Sequence, residues 1–273
     1  MNNLKVEDLM TPNPVTVPVD MAITRVRSIL REEDFRCVPV INGEHLEGLI
    51  TRGDVLNISA TKSNIEARGM MEKPGIILLP EMDIYKAANL LIKAKEIQAP
   101  VVESTDNMKL IGILSVYDIL SGFVERNIPP KKKTVSEVLT EKVVVCDIKD
   151  PLSKVWNKMD ESGYSGLPVM KKGKLIGIIT RKDLIRYGHA RIVKESGDVK
   201  AMPVEKIMQT PPLVATRDMT IDEAATIMVK RDVGRLPVVE NPVYVKSDPQ
   251  RAKEGKLVGI VSREDILKAY IYS

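Results

Sequence analysis

A short segment that occurs four times constrains the fold of this chain more than any other feature. Each copy has an apolar, β-rich run with one glycine, then a threonine or serine, two variable residues, an aspartate and two aliphatic residues. Successive glycines are 64, 65 and 82 residues apart. A period of this size is typical of a repeated supersecondary unit, so one fold must explain all four copies. The copies are Leu46–Leu56, Leu110–Leu120, Leu175–Ile185 and Leu257–Leu267.

The residues around each copy predict one order of elements: strand, helix, strand, strand, helix. In the first repeat, apolar residues at helical spacing predict an amphipathic helix over 21–33. The Asn42-Gly43 pair that precedes the signature indicates a β-hairpin. In the second repeat, Asp83 is expected to cap a helix that extends through Lys95. In the third, Asp150-Pro151 predicts an N-cap followed by a proline at the first helical position.

The fourth repeat has the same order but a longer hairpin. Thr220 and Glu223 form a capping-box pattern ahead of its first helix. The extra hairpin residues lie in Asn241–Gly255, which we expect to be a polar surface excursion. Arg186–Met202 is more charged than its counterparts and predicts an exposed linking helix and loop.

The chain divides best between the second and third repeats. Glu125–Thr134 is polar and interrupted by prolines, as expected of a linker. We therefore expect repeats one and two to share a core, and repeats three and four another, because one repeat alone buries too little surface. The predicted repeats are residues 1–62, 63–126, 127–190 and 191–273.

Composition excludes several classes of protein. No apolar run approaches the roughly 20 residues of a membrane helix, and the first residues do not resemble a signal peptide, so a cytoplasmic protein without membrane association is expected. Cys37 and Cys146 have no metal-type spacing and fit a reducing compartment. A net charge of +4 with 4% aromatic residues does not predict nucleic-acid binding. No carboxylate cluster suggests magnesium, and no nucleophile–base pair or P-loop suggests an enzyme.

The signature has a structural and a functional interpretation. A hydroxyl residue followed three positions later by an acid, where a strand meets a helix, is a capping-box pattern, although glutamate is the usual acid. The same junction presents free N–H groups to a phosphate. The aspartate could accept both hydroxyls of a ribose, and the arginines beside the hydroxyl residues add charged donors. A nucleotide-binding site needs a phosphate-binding turn, a carboxylate for the ribose and a positive charge, so this loop fits a nucleotide. The arginines are Arg52, Arg181 and Arg263.

The four repeats resemble cystathionine-β-synthase-type (CBS) domains over nearly the whole chain. The resemblance depends on Gly-x-x-Thr/Ser-x-x-Asp after a Pro-Val hairpin strand, four times in order. It implies an α/β (α+β) fold in which repeats pair into two Bateman modules, which could form one disk, with ligand clefts between paired repeats. It implies no metal and no catalytic residue. The implied ribose ligands are Asp54, Asp118, Asp183 and Asp265, the implied phosphate or ribose contacts are Thr51, Ser115, Thr180 and Ser262, and the implied adenine slots lie at Thr16, Ile77, Val144 and Val214.

Four repeats in one chain resemble the γ subunit of AMP-activated protein kinase and archaeal CBS-only proteins. In the γ-type pattern, a basic residue just before the hairpin strand reaches phosphate. Arg235 matches that position, and Arg36 lies one residue away from it. The second repeat has Gln98 there and Val116 in place of the signature arginine.

The sequence thus predicts a regulatory protein that binds AMP, ADP or ATP, has no other cofactor, and reports energy state to a protein partner of a kinase-like class. The resemblance also allows modules of two chains to associate, so a homodimer is among the expected assemblies. One alternative is a regulator that binds S-adenosylmethionine, although its cationic sulfonium does not suit the arginines. The other is a scaffold with vestigial clefts that binds a protein or RNA through its surface.

Overall fold

The computed structural model describes residues 4–33, 35–56, 64–186 and 202–273. The chain forms two compact units, of which the first comprises Met1–Lys131 with Leu267–Ser273 and the second comprises Lys132–Ile266. The division falls inside the predicted linker and confirms the pairing of repeats one with two and three with four. No helix among the described residues combines the length and apolarity that crossing a bilayer requires. Most of Arg186–Met202 lies outside the described residues, so its predicted helix and loop stay a prediction.

Each repeat has two α-helices: one precedes the hairpin, and the other begins after the hydroxyl residue of the signature. The helix before the hairpin is amphipathic; in repeat one it buries Ile23, Val26 and Leu30 at helical spacing. A short 3-10 turn opens each repeat, at Val6–Asp8, Ala67–Gly69, Val135–Glu137 and Val204–Lys206. The α-helices are α1 Ile23–Glu32, α2 Arg52–Leu56, α3 Ile84–Ala94, α4 Val116–Glu125, α5 Leu152–Ser162, α6 Arg181–Arg186, α7 Ile221–Lys230 and α8 Arg263–Ile271.

The strands form three sheets within the described residues. Unit one has sheets of order β1-β6-β5 and β2-β3-β4, and unit two has a sheet of order β10-β11-β9-β8-β7. The strands are β1 Thr11–Pro12, β2 Val17–Pro18, β3 Cys37–Asn42, β4 His45–Thr51, β5 Gln98–Val102, β6 Leu110–Ser115, β7 Cys146–Asp147, β8 Gly166–Lys171, β9 Lys174–Thr180, β10 Arg235–Val245 and β11 Asp248–Ser262.

Repeat one illustrates the common unit. Strand β2 pairs in parallel with β3, and β3 pairs antiparallel with β4. The predicted hairpin turn is present, with Gly43 at φ 63°, a conformation that glycine adopts without strain. Val17, Val38 and Ile50 from the three strands pack with Val26 of α1 in one fully buried cluster. The amphipathic helix and the alternating strands thus enclose the core that the sequence predicted.

The opening segment of each repeat crosses to the hairpin of its paired repeat. In unit one, β1 of repeat one pairs with β6 of repeat two, and Glu72 of repeat two forms a bridge with Leu49 of repeat one. The signature glycine permits this approach, because a Cβ on Gly48 would lie 2.8 Å from the carbonyl oxygen of Glu72. Met71 lies beside the same glycine. In unit two, the equivalent bridges join Thr140 to Ile260 and Ile178 to Gln209.

The last residues of the chain complete the core of unit one. Phe123 of α4 stacks on Tyr85 of α3, and its ring centroid lies 5.2 Å from that of Tyr270. The Tyr272 hydroxyl donates to Asn89 Oδ1 at 2.6 Å. Helix α8 therefore begins among the residues of unit two and ends among those of unit one.

One local prediction is wrong. Helix α5 starts at Leu152, with Pro151 at its N-cap, and Asp150 instead accepts from Lys154 and Lys158 while buried to 7% exposure. The predicted surface excursion Asn241–Gly255 is regular, because β10 and β11 continue through it as a long hairpin. Ala252, at 1% exposure, packs with Leu175 and Val239.

Candidate functional site

The four signatures place a hydroxyl group and a carboxylate together where a strand meets a helix. In each, Oδ2 of the aspartate accepts from the backbone N–H of the hydroxyl residue at 2.7–3.1 Å and from its hydroxyl at 2.6–2.8 Å. The aspartate N–H donates back to the hydroxyl oxygen at 3.2–3.4 Å. The pairs are Thr51 with Asp54, Ser115 with Asp118, Thr180 with Asp183 and Ser262 with Asp265.

This geometry is the reciprocal capping box of the structural interpretation, so capping is confirmed at all four junctions. The cap holds each carboxylate in one orientation, since three hydrogen bonds fix the loop. The ribose and phosphate roles of these eight residues stay a prediction.

Gln209 of repeat four enters the junction of repeat three, a contact that the sequence analysis missed. Its Nε2 donates to Asp183 Oδ1 at 2.9 Å and to Oδ2 at 3.2 Å. Gln209 reaches this position because its own backbone pairs with Ile178 on β9. The signal in the sequence is its place directly after Met208, the residue that packs on the signature glycine Gly177.

The signature arginines of unit two are anchored by the preceding helix of their own repeat. Arg181 Nη2 donates to the Met159 carbonyl at 2.8 Å, where α5 nears its end. Arg263 Nη2 donates to Asp232 Oδ1 at 2.7 Å, and this arginine is only 4% exposed. In repeat one, the backbone N–H of Arg52 donates to the carbonyl of Arg36, which places these two predicted residues side by side.

The residues two positions before the hairpin prolines meet within each unit. In unit one, Gln98 Nε2 contacts the Cys37 sulfur. In unit two, Arg235 Nη1 donates to the Gly166 carbonyl at 3.0 Å, and its Nη2 donates to Ser165 Oγ at 2.7 Å. Arg235 thus crosses from repeat four to the edge of repeat three.

Arg235 has an uncommon electrostatic environment. Burial is the main cause that lowers its pKa, the carboxylates of Glu264 and Asp265 oppose this, and the charge of Arg181 lowers the pKa further. The acceptors of its two hydrogen bonds are neutral oxygens, so no bonded carboxylate compensates its charge. Arg235 and Arg181 thus bring two guanidinium groups beside Thr180, because Gly166 pairs with Thr180 across β8 and β9. Arg181 also forms an ion pair with Asp160 at 3.6 Å.

The predicted adenine slots follow one strand position, with one exception. In each repeat, one residue of the first strand segment pairs in parallel with the residue after the hairpin proline, and this pair aligns the four repeats. The paired residues are Val17, Leu78, Cys146 and Ala215. Thr16, Ile77 and Val214 each lie one residue earlier, whereas in repeat three that position is Val145, so the prediction of Val144 is displaced by one residue. Thr16, Ile77 and Val145 are partly exposed, but Val214 is 1% exposed.

The signature junctions carry side chains of the kind that bind polar ligands. Their fixed carboxylates, hydroxyls and guanidinium groups can accept from and donate to a polar, anionic ligand. Within the described ranges, no group of three or more His, Cys, Asp or Glu side chains could hold a metal ion.

The comparisons with known proteins agree with this geometry. Protein MJ1225 of Methanocaldococcus jannaschii is 25% identical over 94% of this chain and 95% of its own length. Its crystal structure, described as that of a proposed archaeal homolog of g-AMPK, matches with a TM-score of 0.78 over 97% of this chain and 99% of the other. An uncharacterized conserved protein of Pyrococcus horikoshii matches at 25% identity with a TM-score of 0.68, again over 97% and 99%.

A partial match links the repeats to an enzyme. The inosine-5'-monophosphate dehydrogenase of Thermoplasma acidophilum is 25% identical over 70% of this chain, but the match covers 38% of that protein. The family model of the CBS domain matches residues 6–61, 67–125, 135–190 and 204–272. CBS domains are generally regulatory and often bind nucleotides. With four matches that span most of its length, the chain belongs to the CBS domain family.

Proposed function

We propose that this protein is a regulatory sensor of adenine nucleotides. AMP, ADP and ATP would compete for its clefts, since they share adenosine and differ in phosphate charge. The ligand would favour one conformation, and a protein partner of a kinase-like class would respond to it. In this proposal the chain regulates a reaction and does not catalyse one.

One arrangement in unit two carries the proposal. Thr180 and Asp183 supply a hydroxyl and a carboxylate, and Arg181 and Arg235 supply positive charge from two different repeats. A carboxylate suits the two hydroxyls of a ribose, and guanidinium groups suit phosphate oxygens. The hydrogen-bond acceptors of Arg235 are neutral, so a phosphate would supply the charged acceptor that its guanidinium group lacks. Similarity over nearly the full length to MJ1225, described as a proposed archaeal homolog of g-AMPK, supports the same class of function.

Isothermal titration calorimetry with the purified chain tests the proposal. We expect AMP, ADP and ATP each to release or absorb heat and to compete with one another. Asp183→Asn should weaken binding in unit two by about 10- to 100-fold, since a hydrogen bond to a charged group contributes about 1.5–3 kcal/mol. Asparagine retains a capping oxygen, so this variant should still fold, although it loses one acceptor for Gln209.

Glu223→Ala is the matched control. Glu223 forms a capping box with Thr220 at the start of α7, with the same reciprocal bonds at 3.0 and 3.1 Å but outside the signature. Its loss should cost about 1 kcal/mol of stability and leave nucleotide binding unchanged. If the two variants weakened nucleotide binding equally, the signature aspartates would act only as helix caps and not as ribose ligands. Absence of heat with all three nucleotides would reject the sensor.

Competition distinguishes the S-adenosylmethionine alternative. The sulfonium of that ligand is cationic, and the guanidinium groups of Arg181 and Arg235 would repel it. We therefore expect S-adenosylmethionine not to displace ATP from unit two. Displacement at similar concentrations would favour the alternative.

A further inference from the structure

The long hairpin of repeat four distinguishes this repeat from the other three. Its hairpin extension, residues 241–255, continues β10 and β11 beyond the point where the other hairpins turn. In repeat three, Lys171 pairs with Lys174 across a two-residue turn. The corresponding pair of repeat four is Glu240 and Lys256, and the extension lies between them.

The hairpin extension folds back on the strand segment that holds the predicted adenine slot of its own repeat. The Val214 N–H donates to the Gln250 carbonyl at 3.0 Å, and the Ala252 N–H donates to the Pro212 carbonyl at 3.1 Å. Leu213 forms an antiparallel bridge with Arg251. The outer edge of this segment is therefore paired with the chain itself.

The equivalent segments of repeats one and two have a different environment. Among the residues that the structure describes, the N–H of neither Thr16 nor Ile77 donates to a backbone oxygen. Both residues are partly exposed, whereas Val214 is 1% exposed and packs against Leu175, Val239 and Ala252. An adenine that needs this backbone edge would find it open in repeats one and two but filled in repeat four.

Polar contacts hold the hairpin extension in place. Arg231, at the end of α7, donates to Asp248 Oδ2 at 2.5 Å and to Gln250 Oε1 at 3.0 Å. Lys174 of repeat three forms an ion pair with Glu254 at 2.6 Å. Gly255 permits the close packing, because a Cβ there would lie 3.0 Å from Val239 Cβ. These contacts all lie in residues 248–255, so they fix the returning strand of the extension.

We propose that the hairpin extension occupies the adenine slot of repeat four as a built-in substitute for ligand, so that the chain binds adenine nucleotide at no more than three of its four repeats. This inference rests on the proposed function. It assigns the open sites to the first three repeats and makes Asp265 a capping residue without a ribose partner.

Hydrogen exchange on the native full-length chain, with and without saturating AMP, tests the inference. We expect AMP to increase protection at residues 15–16 and 76–77 and to leave the amide of Val214 unchanged, since this amide is already bonded. Increased protection at Val214 as well would overturn the inference while the proposed function stands. No change at any of the three segments would overturn the proposed function, and the inference with it.

A shortened variant gives an independent readout. Replacing residues 241–255 by the Lys-Gly turn of repeat three preserves the pairing of Glu240 with Lys256. Calorimetry should then give one more nucleotide per chain than the parent binds, with the parent at three or fewer. An unchanged stoichiometry in a variant that retains the parental circular dichroism would contradict the proposal. If the variant does not fold, the exchange result on the native chain decides.

Discussion

Arg235 shows how one side chain can set the charge preference of a module. It supplies a desolvated positive charge between repeats three and four, where the equivalent contact in unit one joins the uncharged Gln98 and Cys37. The two units therefore differ at the same structural position. We expect unit two to prefer the more highly phosphorylated nucleotides.

Arg235→Gln tests this preference, because it gives unit two the residue that unit one has. The affinity of unit two for ATP should fall about tenfold or more and that for AMP less, since the lost attraction increases with ligand charge. Calorimetry at two salt concentrations measures both. Arg126→Gln is the control, because Arg126 also donates to a glycine carbonyl, that of Gly122, but outside the signature. Equal losses for AMP and ATP would contradict the assigned role.

The two cysteines lead to a prediction on pH. Burial is the main cause that raises the pKa of Cys37 to about 12 and that of Cys146 to about 12, from an ordinary value of 9.0. Because the thiolate is the reactive form, both thiols should react with iodoacetamide far more slowly at pH 8 in the native chain than in the denatured chain. Mass spectrometry of the labelled chain measures this, and rapid native labelling would contradict it.

The raised pKa values of the two thiols also make the stability of the fold depend on pH. Above about pH 9 the unfolded chain loses these protons while the folded chain retains them, so the free energy of unfolding falls as the pH rises towards 12. Each thiol contributes up to about 1.4 kcal/mol per pH unit in that range. Urea unfolding of the parent and of a Cys37→Ala variant between pH 8 and 10 measures it, and the variant should show the smaller decline.

At the scale of elements, the opening segments depend on the signature glycines. Gly48→Ala would place a Cβ 2.8 Å from the Glu72 carbonyl oxygen, a backbone atom that cannot rotate away. We expect a loss of about 1–3 kcal/mol. Gly75→Ala is the control, because its Cβ would meet only the flexible end of Glu96 at 3.2 Å. Denaturant unfolding of both variants measures the difference, and similar stabilities would show that the crossing segment can shift.

The sequence predicted the elements whose signals are local. Asp83 caps α3 and Lys95 ends it, as the pattern indicated, because capping depends on neighbouring residues. Asp150 was misassigned, since Lys154 and Lys158 engage its carboxylate and Pro151 takes the N-cap. The hairpin extension has a polar composition, so the sequence did not predict that it is a regular hairpin. Its packing depends on contacts of Ala252 with Leu175 and Val214.

The sequence predicted the contacts of the candidate site that lie within one signature, but not those between residues of two different repeats. The hydroxyl–aspartate pairs lie three residues apart, so their bonds follow from the sequence. Gln209 reaches Asp183 from 26 residues away, and Arg235 reaches Gly166 from 69 away. These contacts depend on how repeats three and four pack on each other, which local periodicity does not encode.

At the scale of the whole molecule, the end of the chain belongs to the unit with which the chain begins. Tyr270 is 2% exposed and packs on Phe123, and Lys131 donates to the carbonyls of Ala269 and Ile271. Residues 267–273 therefore contribute to the core of unit one.

Tyr270→Ala tests this dependence. Removing a buried aromatic side chain should cost about 3 kcal/mol or more, and the loss should fall on unit one. Hydrogen exchange should show weaker protection of α3 and α4, with the amides of α5, β8 and β9 unchanged. Tyr244→Ala is the control, because Tyr244 lies in unit two and is 43% exposed. If exchange rose equally in both units, the C-terminal residues would support the whole fold rather than complete the core of unit one.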